Sequence, residues 1–166
     1  MVVRLAEVLA RVVSPFQSGF VKGRNIVDNI LLAQELCHRM SAPNEDVILK
    51  LDMTKAYDMM AWECIFKVLR KVGFCEGWIG LVRMSIDNIW YSVIINGTQQ
   101  GFFRATRGLR QGDPLSPSLF IIAAELLSCL IRDNEVTFTQ PMGGPGVHHL
   151  AFVDDMLVFT SGKGVP

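Results

Sequence analysis

Three carboxylates stand out for where they fall in the apolar pattern. Asp52 closes a run in which Val47, Leu49 and Leu51 alternate with Ile48 and Lys50, and Asp154 and Asp155 sit in tandem between apolar stretches at residues 147–153 and 156–160. A period of two reads as a strand, which puts Asp52 at the strand's end on the parity opposite Val47, Leu49 and Leu51. The tandem pair reads as strand, acidic turn, strand. Carboxylates buried without partners are costly, and several gathered on neighbouring strands repel one another unless a proton or a cation intervenes. Mg²⁺ takes carboxylate oxygens together with substrate phosphates, and a pair of such ions serves in-line displacement at phosphorus. Alone the signal is weak, because tandem aspartates also occupy hairpin turns simply by accepting bonds from nearby backbone N–H groups.

The elements that must position these residues follow from periodicity. Val2, Leu5, Leu9, Val12 and Val13 recur at helical spacing, and Ser14-Pro15 stops that helix in a loop running to Gly23. A second helix is expected over residues 25–40, with Ile26, Ile30, Ala33 and Leu36 on one face, then a loop at 41–45 and a strand at 46–53. Helical patterns at 62–72 and 78–87 are separated by Gly73 and Gly77. Residues 90–96 and 99–105 read as a hairpin around Asn96-Gly97. A basic, glycine-bearing turn at 106–114 precedes Ser116-Pro117, which opens a long apolar helix reaching about residue 132. A turn-rich stretch at 140–146 leads into the strands that flank the acidic pair. The expected class is α+β: a small, mainly antiparallel sheet carrying the acidic residues on its open side, with the helices at 62–72 and 117–132 packed behind.

Composition limits the alternatives. The 166 residues suit one domain, and a 50% hydrophobic, 19% charged make-up with a mean hydropathy of +0.31 excludes a disordered chain. It is greasy for a soluble monomer. Sixteen basic and sixteen acidic residues leave no net charge, so any nucleic-acid binding must be local. Cys37, Cys64, Cys75 and Cys129 form no C-x-x-C pair, and His38, His148 and His149 complete no zinc spacing, which reads as reduced thiols in an intracellular protein. Arg4, Glu7 and Arg11 interrupt the first apolar run, unlike a secretion signal, and the greasy stretch at 119–131 is too short to span a bilayer and carries Glu125. The expected location is nucleus or cytoplasm, with no membrane.

Four strings, in order, carry a family resemblance. QSGFVKGRNIVDNILLAQEL at 17–36, VILKLDMTKAYDMMAW at 47–62, RGLRQGDPLSPSLF at 107–120 and LAFVDDMLVF at 150–159 cover nearly the whole chain. The chain resembles the reverse transcriptases of LINE-type, non-LTR retrotransposons, especially those of plant genomes. The first string looks like a fingers segment, the second and fourth like the catalytic palm motifs, and the third is the most specific.

The resemblance implies an RNA-directed DNA polymerase acting on an RNA template, a DNA primer and dNTP, weakly active or inactive as this truncated chain. Its fold would be a polymerase palm at 46–166 with partial fingers at 1–45, as one continuous domain fragment. Asp52, Asp154 and Asp155 would be catalytic and would hold two Mg²⁺ ions, with Mn²⁺ as the alternative metal. Asp52 and Asp154 would be the main ligands, and Asp155 a weaker or indirect one that completes the acidic cluster. Tyr57 would exclude a 2′-hydroxyl, its other reading being a core aromatic at a strand-to-helix junction. Gln111 and Gly112 would form a nucleotide-pocket turn, and Lys22 and Arg24 would meet the triphosphate or else be solvated loop charges. Arg104, Arg107 and Arg110 would contact template or primer phosphates. Two departures stand out. Met59, Met60 and Ala61 replace a charged pair before Trp62, and Val153 replaces the usual alanine before the aspartates, where its extra methyls would overpack the turn unless the hairpin adjusts. The thumb, the upstream fingers and the endonuclease of the parent element are expected to be absent. The alternative function is a catalytically dead remnant serving as an RNA-binding or interaction module. A small metabolic enzyme with an incidental acidic turn would leave the string at 107–120 unexplained.

Overall fold

Apolar periods become elements close to where they are expected in the computed structural model, which describes residues 1–39, 46–133 and 146–161. The elements are α1 (Val2–Val12), α2 (Ile26–Arg39), β1 (Asp46–Asp52), α3 (Ala56–Met59), α4 (Trp62–Val72), α5 (Glu76–Ile86), β2 (Trp90–Ile95), β3 (Thr98–Arg104), α6 (Ser116–Asp133), β4 (His149–Phe152) and β5 (Asp155–Ser161). Helix α4 stops at Gly73, whose φ of +101° is the left-handed cap that glycine adopts without strain. The single turn of α3 is too short to show a helical period and is not foreseen. The loop expected at 41–45 and most of the turn-rich stretch at 140–146 lie outside the described residues.

The chain divides into two compact units, one formed by Met1–Thr54 with Ala124–Pro166 and the other by Lys55–Ala123. In the first, β1, β5 and β4 form an antiparallel sheet in that order. Ile48, Leu150, Leu157 and Phe159 pack with Leu32, Ala33 and Leu36 of α2 and with Phe16. Ala151, Met156 and Val158 pack with Leu127 and Ile131, so the end of α6 backs this sheet as expected. On β1 the parity is as read, but Val47, Leu49 and Leu51 are the exposed side, and Ile48 is the residue that joins a core. Alternation reveals which residues share a face; what covers that face depends on distant elements. Leu126 and Leu130 of α6 are exposed as well.

In the second unit, α4 buries Ile65, Phe66 and Leu69, and α5 buries Ile79, Val82 and Ile86. The two helices lie against one another, with the Arg83 guanidinium 4.4 Å from the centre of the Phe66 ring. Helix α4 therefore contributes its apolar side to this unit's core. Strands β2 and β3 pair antiparallel through a tight turn in which Asn96 has φ +52° and Gly97 φ +79°. Two successive positive values are the type I′ signature that Asn-Gly favours. Both strands are almost entirely exposed, and Trp90 stacks on Phe102 at 5.3 Å and Tyr91 on Phe103 at 5.9 Å. Among the described residues, no helix is long and apolar enough to cross a membrane.

Candidate active site

The register of the first sheet sets Asp52 directly opposite Asp155. On the other side of β5, Phe152 is opposite Asp155, which leaves Val153 and Asp154 as the two central residues of a tight hairpin turn. Directly opposed residues share a face, with Cβ atoms about 4.5–5.5 Å apart. Two carboxylates from remote parts of the chain are thereby neighbours, and the third follows in the adjoining turn. Asp52 and Asp155 are exposed and Asp154 is half-buried. Lys50 approaches, its Nζ 3.6 Å from Asp155 Oδ1, but both side chains are largely exposed and such a pair is worth little. Opposed like charges destabilise a strand pair, so the arrangement favours a cation.

Among the described residues no three acidic, histidine or cysteine side chains converge into a cage for a metal. That is compatible with Mg²⁺, which is commonly held by one or two carboxylates and completed by water and substrate phosphates. Open carboxylate oxygens on Asp52 and Asp155, with Asp154 in the adjoining turn, are donors of the right hardness for it.

The turn itself departs from ordinary turn chemistry. Val153 has φ +57°, whereas its neighbour Asp154 does not have a positive φ. A positive value at the first central residue alone belongs to the type II′ turn, where glycine is usual. A β-branched residue there stores roughly 1–3 kcal/mol of strain. Holding it in place is Gln17, a buried side chain 4% exposed. Its Nε2 donates to the Val153 carbonyl at 3.1 Å, and its Oε1 accepts from the Val153 N–H at 2.9 Å and from the Gly19 N–H at 2.9 Å. A Cβ on Gly19 would fall 2.6 Å from Val153 Cγ2 and 2.7 Å from its backbone N, so glycine there leaves room for the valine. The overpacking expected from Val153 is relieved in this way.

The segment bearing Gln17 is itself anchored to β4. Ser18 N–H donates to the Ala151 carbonyl at 3.0 Å and Ala151 N–H to the Phe16 carbonyl at 2.9 Å. Asn29 Nδ2 bonds the carbonyls of Phe16 at 2.9 Å and Ala151 at 3.0 Å. Arg24 takes a structural place here: its guanidinium donates to the carbonyls of Gln17 at 2.7 Å, Val13 at 3.0 Å and Ser14. Burial lowers its pKa, and Glu125 offsets part of that. Arg24 is expected from the sequence to be a triphosphate contact or a solvated loop charge; its terminal nitrogens are engaged in tying the end of α1 to the Gln17 segment. Lys22 is exposed.

Two titratable groups support the same unit. Burial pushes the Glu125 carboxyl up, although it accepts the Ser14 N–H at 2.8 Å. His149, on β4, is wholly buried and pushed down to about 4, first by burial and then by His148 and Arg132. Its Nδ1 lies 2.6 Å from Nδ1 of His148, and its Nε2 has no partner among the described residues.

In the second unit, hydrogen bonds tie the Gly108-Leu109 turn to α3, to Met60 after it and to Trp62 at the start of α4. Leu109 N–H donates to the Tyr57 carbonyl at 2.8 Å, Gly108 N–H to the Met60 carbonyl at 2.8 Å, and Trp62 Nε1 to the Gly108 carbonyl at 2.6 Å. Gly108 has φ +93°, and a Cβ there would meet the Asp58 carbonyl oxygen at 2.8 Å. Tyr57 stacks on the buried Phe120 ring at 4.9 Å and 10°. Gln111 is exposed, and Gly112, at φ +85°, has open space where a side chain would be. The three arginines differ: Arg104 pairs with Asp87 at 2.5 Å and Arg110 with Asp113 at 2.9 Å, whereas exposed Arg107 has no ion pair among the described residues.

Comparison with known proteins decides the family. The family model described as reverse transcriptase (RNA-dependent DNA polymerase) matches residues 1–165. The chain belongs to the reverse transcriptase family. Among its curated relatives, a 149 kDa protein of the transposon TX1 from Xenopus laevis is 31% identical over 93% of this chain. The Pol polyprotein of the retrotransposable element R2DM from Drosophila melanogaster is 29% identical over 87% of it. A mitochondrial protein of Arabidopsis thaliana is 48% identical over 37%. The reverse transcriptase sequence here spans only 12% and 14% of the length of the first two and 55% of the third. Among solved structures, apo telomerase from Candida tropicalis superposes with a TM-score of 0.63 over 98% of this chain and 33% of its own, at 17% identity, which is a likeness of fold. Mixed helices with small antiparallel sheets are thus the partial palm-and-fingers architecture of reverse transcriptases.

Sequence reasoning missed Gln17 as a functional candidate. The only available signal is its place at the head of the string at 17–36, because its partner in the turn lies 136 positions away.

Proposed function

We propose that this chain carries the nucleotidyl-transfer centre of an RNA-directed DNA polymerase, copying an RNA template by extending a DNA primer. The observation that supports this best is the pairing of Asp52 with Asp155, with Asp154 in the adjoining turn. In the reaction a primer 3′-oxygen attacks the α-phosphorus of a dNTP, a P–O bond forms, and pyrophosphate leaves. Asp52, Asp154 and Asp155 would hold Mg²⁺ or Mn²⁺, which when bound lowers the pKa of the attacking hydroxyl and neutralises triphosphate charge. Tyr57, its ring fixed against Phe120, would present a rigid edge that rejects a 2′-hydroxyl. Open space at Gly112 lets a ligand approach the backbone there, and the amide of Gln111 can bond sugar or phosphate. Lys22 and Arg107 are exposed cations suited to phosphate, the first for the triphosphate and the second for template or primer. Arg104 and Arg110 are each bonded to a carboxylate, which offsets part of the charge they would bring beside Arg107.

Primer extension on an RNA template with dNTP and Mg²⁺ tests the reading. Weak incorporation is expected from the unmodified chain, lost on Asp52→Asn and on Asp154→Asn. Incorporation indifferent to both substitutions would overturn it. RNA binding with no incorporation in any form would instead favour the remnant module.

A further inference from the structure

The acidic turn has a support that no catalytic role accounts for. Gln17 is buried, and its amide satisfies both the N–H and the C=O of Val153, the residue immediately before Asp154. Val153 is also the residue with a positive φ in that turn. An amide that both donates and accepts can saturate one peptide position in this way, and burial removes the water that would otherwise compete. The clamp is not free to drift: the Gln17 carbonyl is bonded by Arg24 at 2.7 Å, and the neighbouring Ser18 is bonded to β4 through the Ala151 carbonyl at 3.0 Å.

We infer that Gln17 is a positioning residue for the metal-holding turn, fixing Val153 in its left-handed conformation so that Asp154 stands in place beside the Asp52 and Asp155 pair. Its amide never touches substrate; it acts through the backbone of Val153. The inference rests on the reading that these three aspartates hold a divalent cation, and it adds a residue from the string at 17–36 to that centre. The group is an uncharged amide, so it neutralises no carboxylate and its effect is conformational.

Gln17→Met keeps the side chain's length and removes every hydrogen bond it makes, so it is the primary variant. Two readouts are needed in the 166-residue chain. Amide hydrogen exchange at Val153, followed by NMR without metal, is expected to speed up by at least about 30-fold relative to Met156 and Val158 of β5. Mn²⁺ binding, followed by the loss of the free-ion EPR signal, is expected to weaken about 10-fold while the thermal midpoint of the variant remains a single transition. Val153→Gly supplies a residue that adopts a positive φ unaided, and adding it to Gln17→Met is expected to restore Mn²⁺ affinity to within about threefold of the unmodified chain. A purely structural role for Gln17 would give no such rescue. Unchanged Val153 exchange in Gln17→Met would overturn the clamp, and faster exchange with Mn²⁺ affinity within about twofold would overturn the positioning role. Should Gln17→Met fail to fold, the double variant carries the decision: Mn²⁺ affinity still reduced about 10-fold despite the glycine overturns the proposal. Failure of the unmodified chain to bind Mn²⁺ in a manner lost on Asp52→Asn would overturn the metal reading, and the positioning role with it, while Val153 exchange would still show whether the clamp exists.

Discussion

Two tight hairpins in this chain obey opposite rules. The turn between β2 and β3 is Asn96-Gly97, with positive φ at both residues, and its strands are exposed on both faces. The turn between β4 and β5 is Val153-Asp154, with positive φ on a valine, and its strands are packed from both sides. The first hairpin is specified by its own turn residues, and only cross-strand stacking is needed to complete it. The second would not choose its turn locally. It is held by a buried amide and by the cores on either side of the sheet. Of the two hairpins, the one whose turn conformation goes against local preference is the one that bears residues proposed to do chemistry, as expected of sites that trade local stability for geometry.

The largest expected difference between the hairpins is in acid. His149 on β4 is buried neutral, with a pKa near 4 against an ordinary 6.5. Because the unfolded chain binds that proton first, the stabilisation is full above about pH 6.5 and is lost as pH falls from there through 4, about 3 kcal/mol in all. Urea titrations at pH 7 and pH 4 should show a smaller acid loss in His149→Leu than in the unmodified chain. Glu125 has the opposite sign: its raised pKa means its contribution is full below about 4.5 and declines as pH rises through the folded value. An equal acid loss in both chains would remove His149 from the account.

Exchanging the turn residues sharpens the comparison further. Gly97→Val places a branched side chain at φ +79° with nothing nearby to hold it, and should cost the β2–β3 hairpin about 2 kcal/mol. Amide exchange at Val93 and Gln100 would report it. The reverse change, Val153→Gly, should raise stability by about 1 kcal/mol, the relief of strain exceeding the lost packing and the added chain entropy. Thermal unfolding of the two variants must therefore move in opposite directions, and movement in the same direction breaks the contrast. Smallest of all is Lys50→Met: the exposed contact to Asp155 at 3.6 Å predicts a change below about 0.5 kcal/mol in urea titration.

Most of the scaffold was readable because it is written in local signals. Helical periods, Gly73 after α4, Asn96-Gly97 and the alternation through 46–52 each act over a few residues. The acidic centre was readable as motif residues, and the sheet register then showed that Asp52 and Asp155 meet. What escaped depends on pairs far apart in sequence. Gln17 looks like any polar loop residue until Val153 is folded onto it, and Arg24 looks like a surface cation until the carbonyls of Ala10, Val13, Ser14 and Gln17 turn towards it. The covered side of β1 was likewise undecidable from alternation, because Ile48 is chosen by α2 and Phe16.

Strand β1 has one further consequence. It lies at the margin of its sheet, paired among the described residues only with β5, and shows Val47, Leu49 and Leu51 to solvent. Such a margin can recruit the same strand of another copy, and charges along it are what discourage that. Asp46, Lys50 and Asp52 are those charges. Asp52 thus guards solubility in addition to the metal-holding role proposed for it, and neutralising it in a knockout removes one of the three gatekeepers. Loss of signal in Asp52→Asn should accordingly be read only from the monomeric fraction, whereas Asp154→Asn, in the turn, leaves that guard intact.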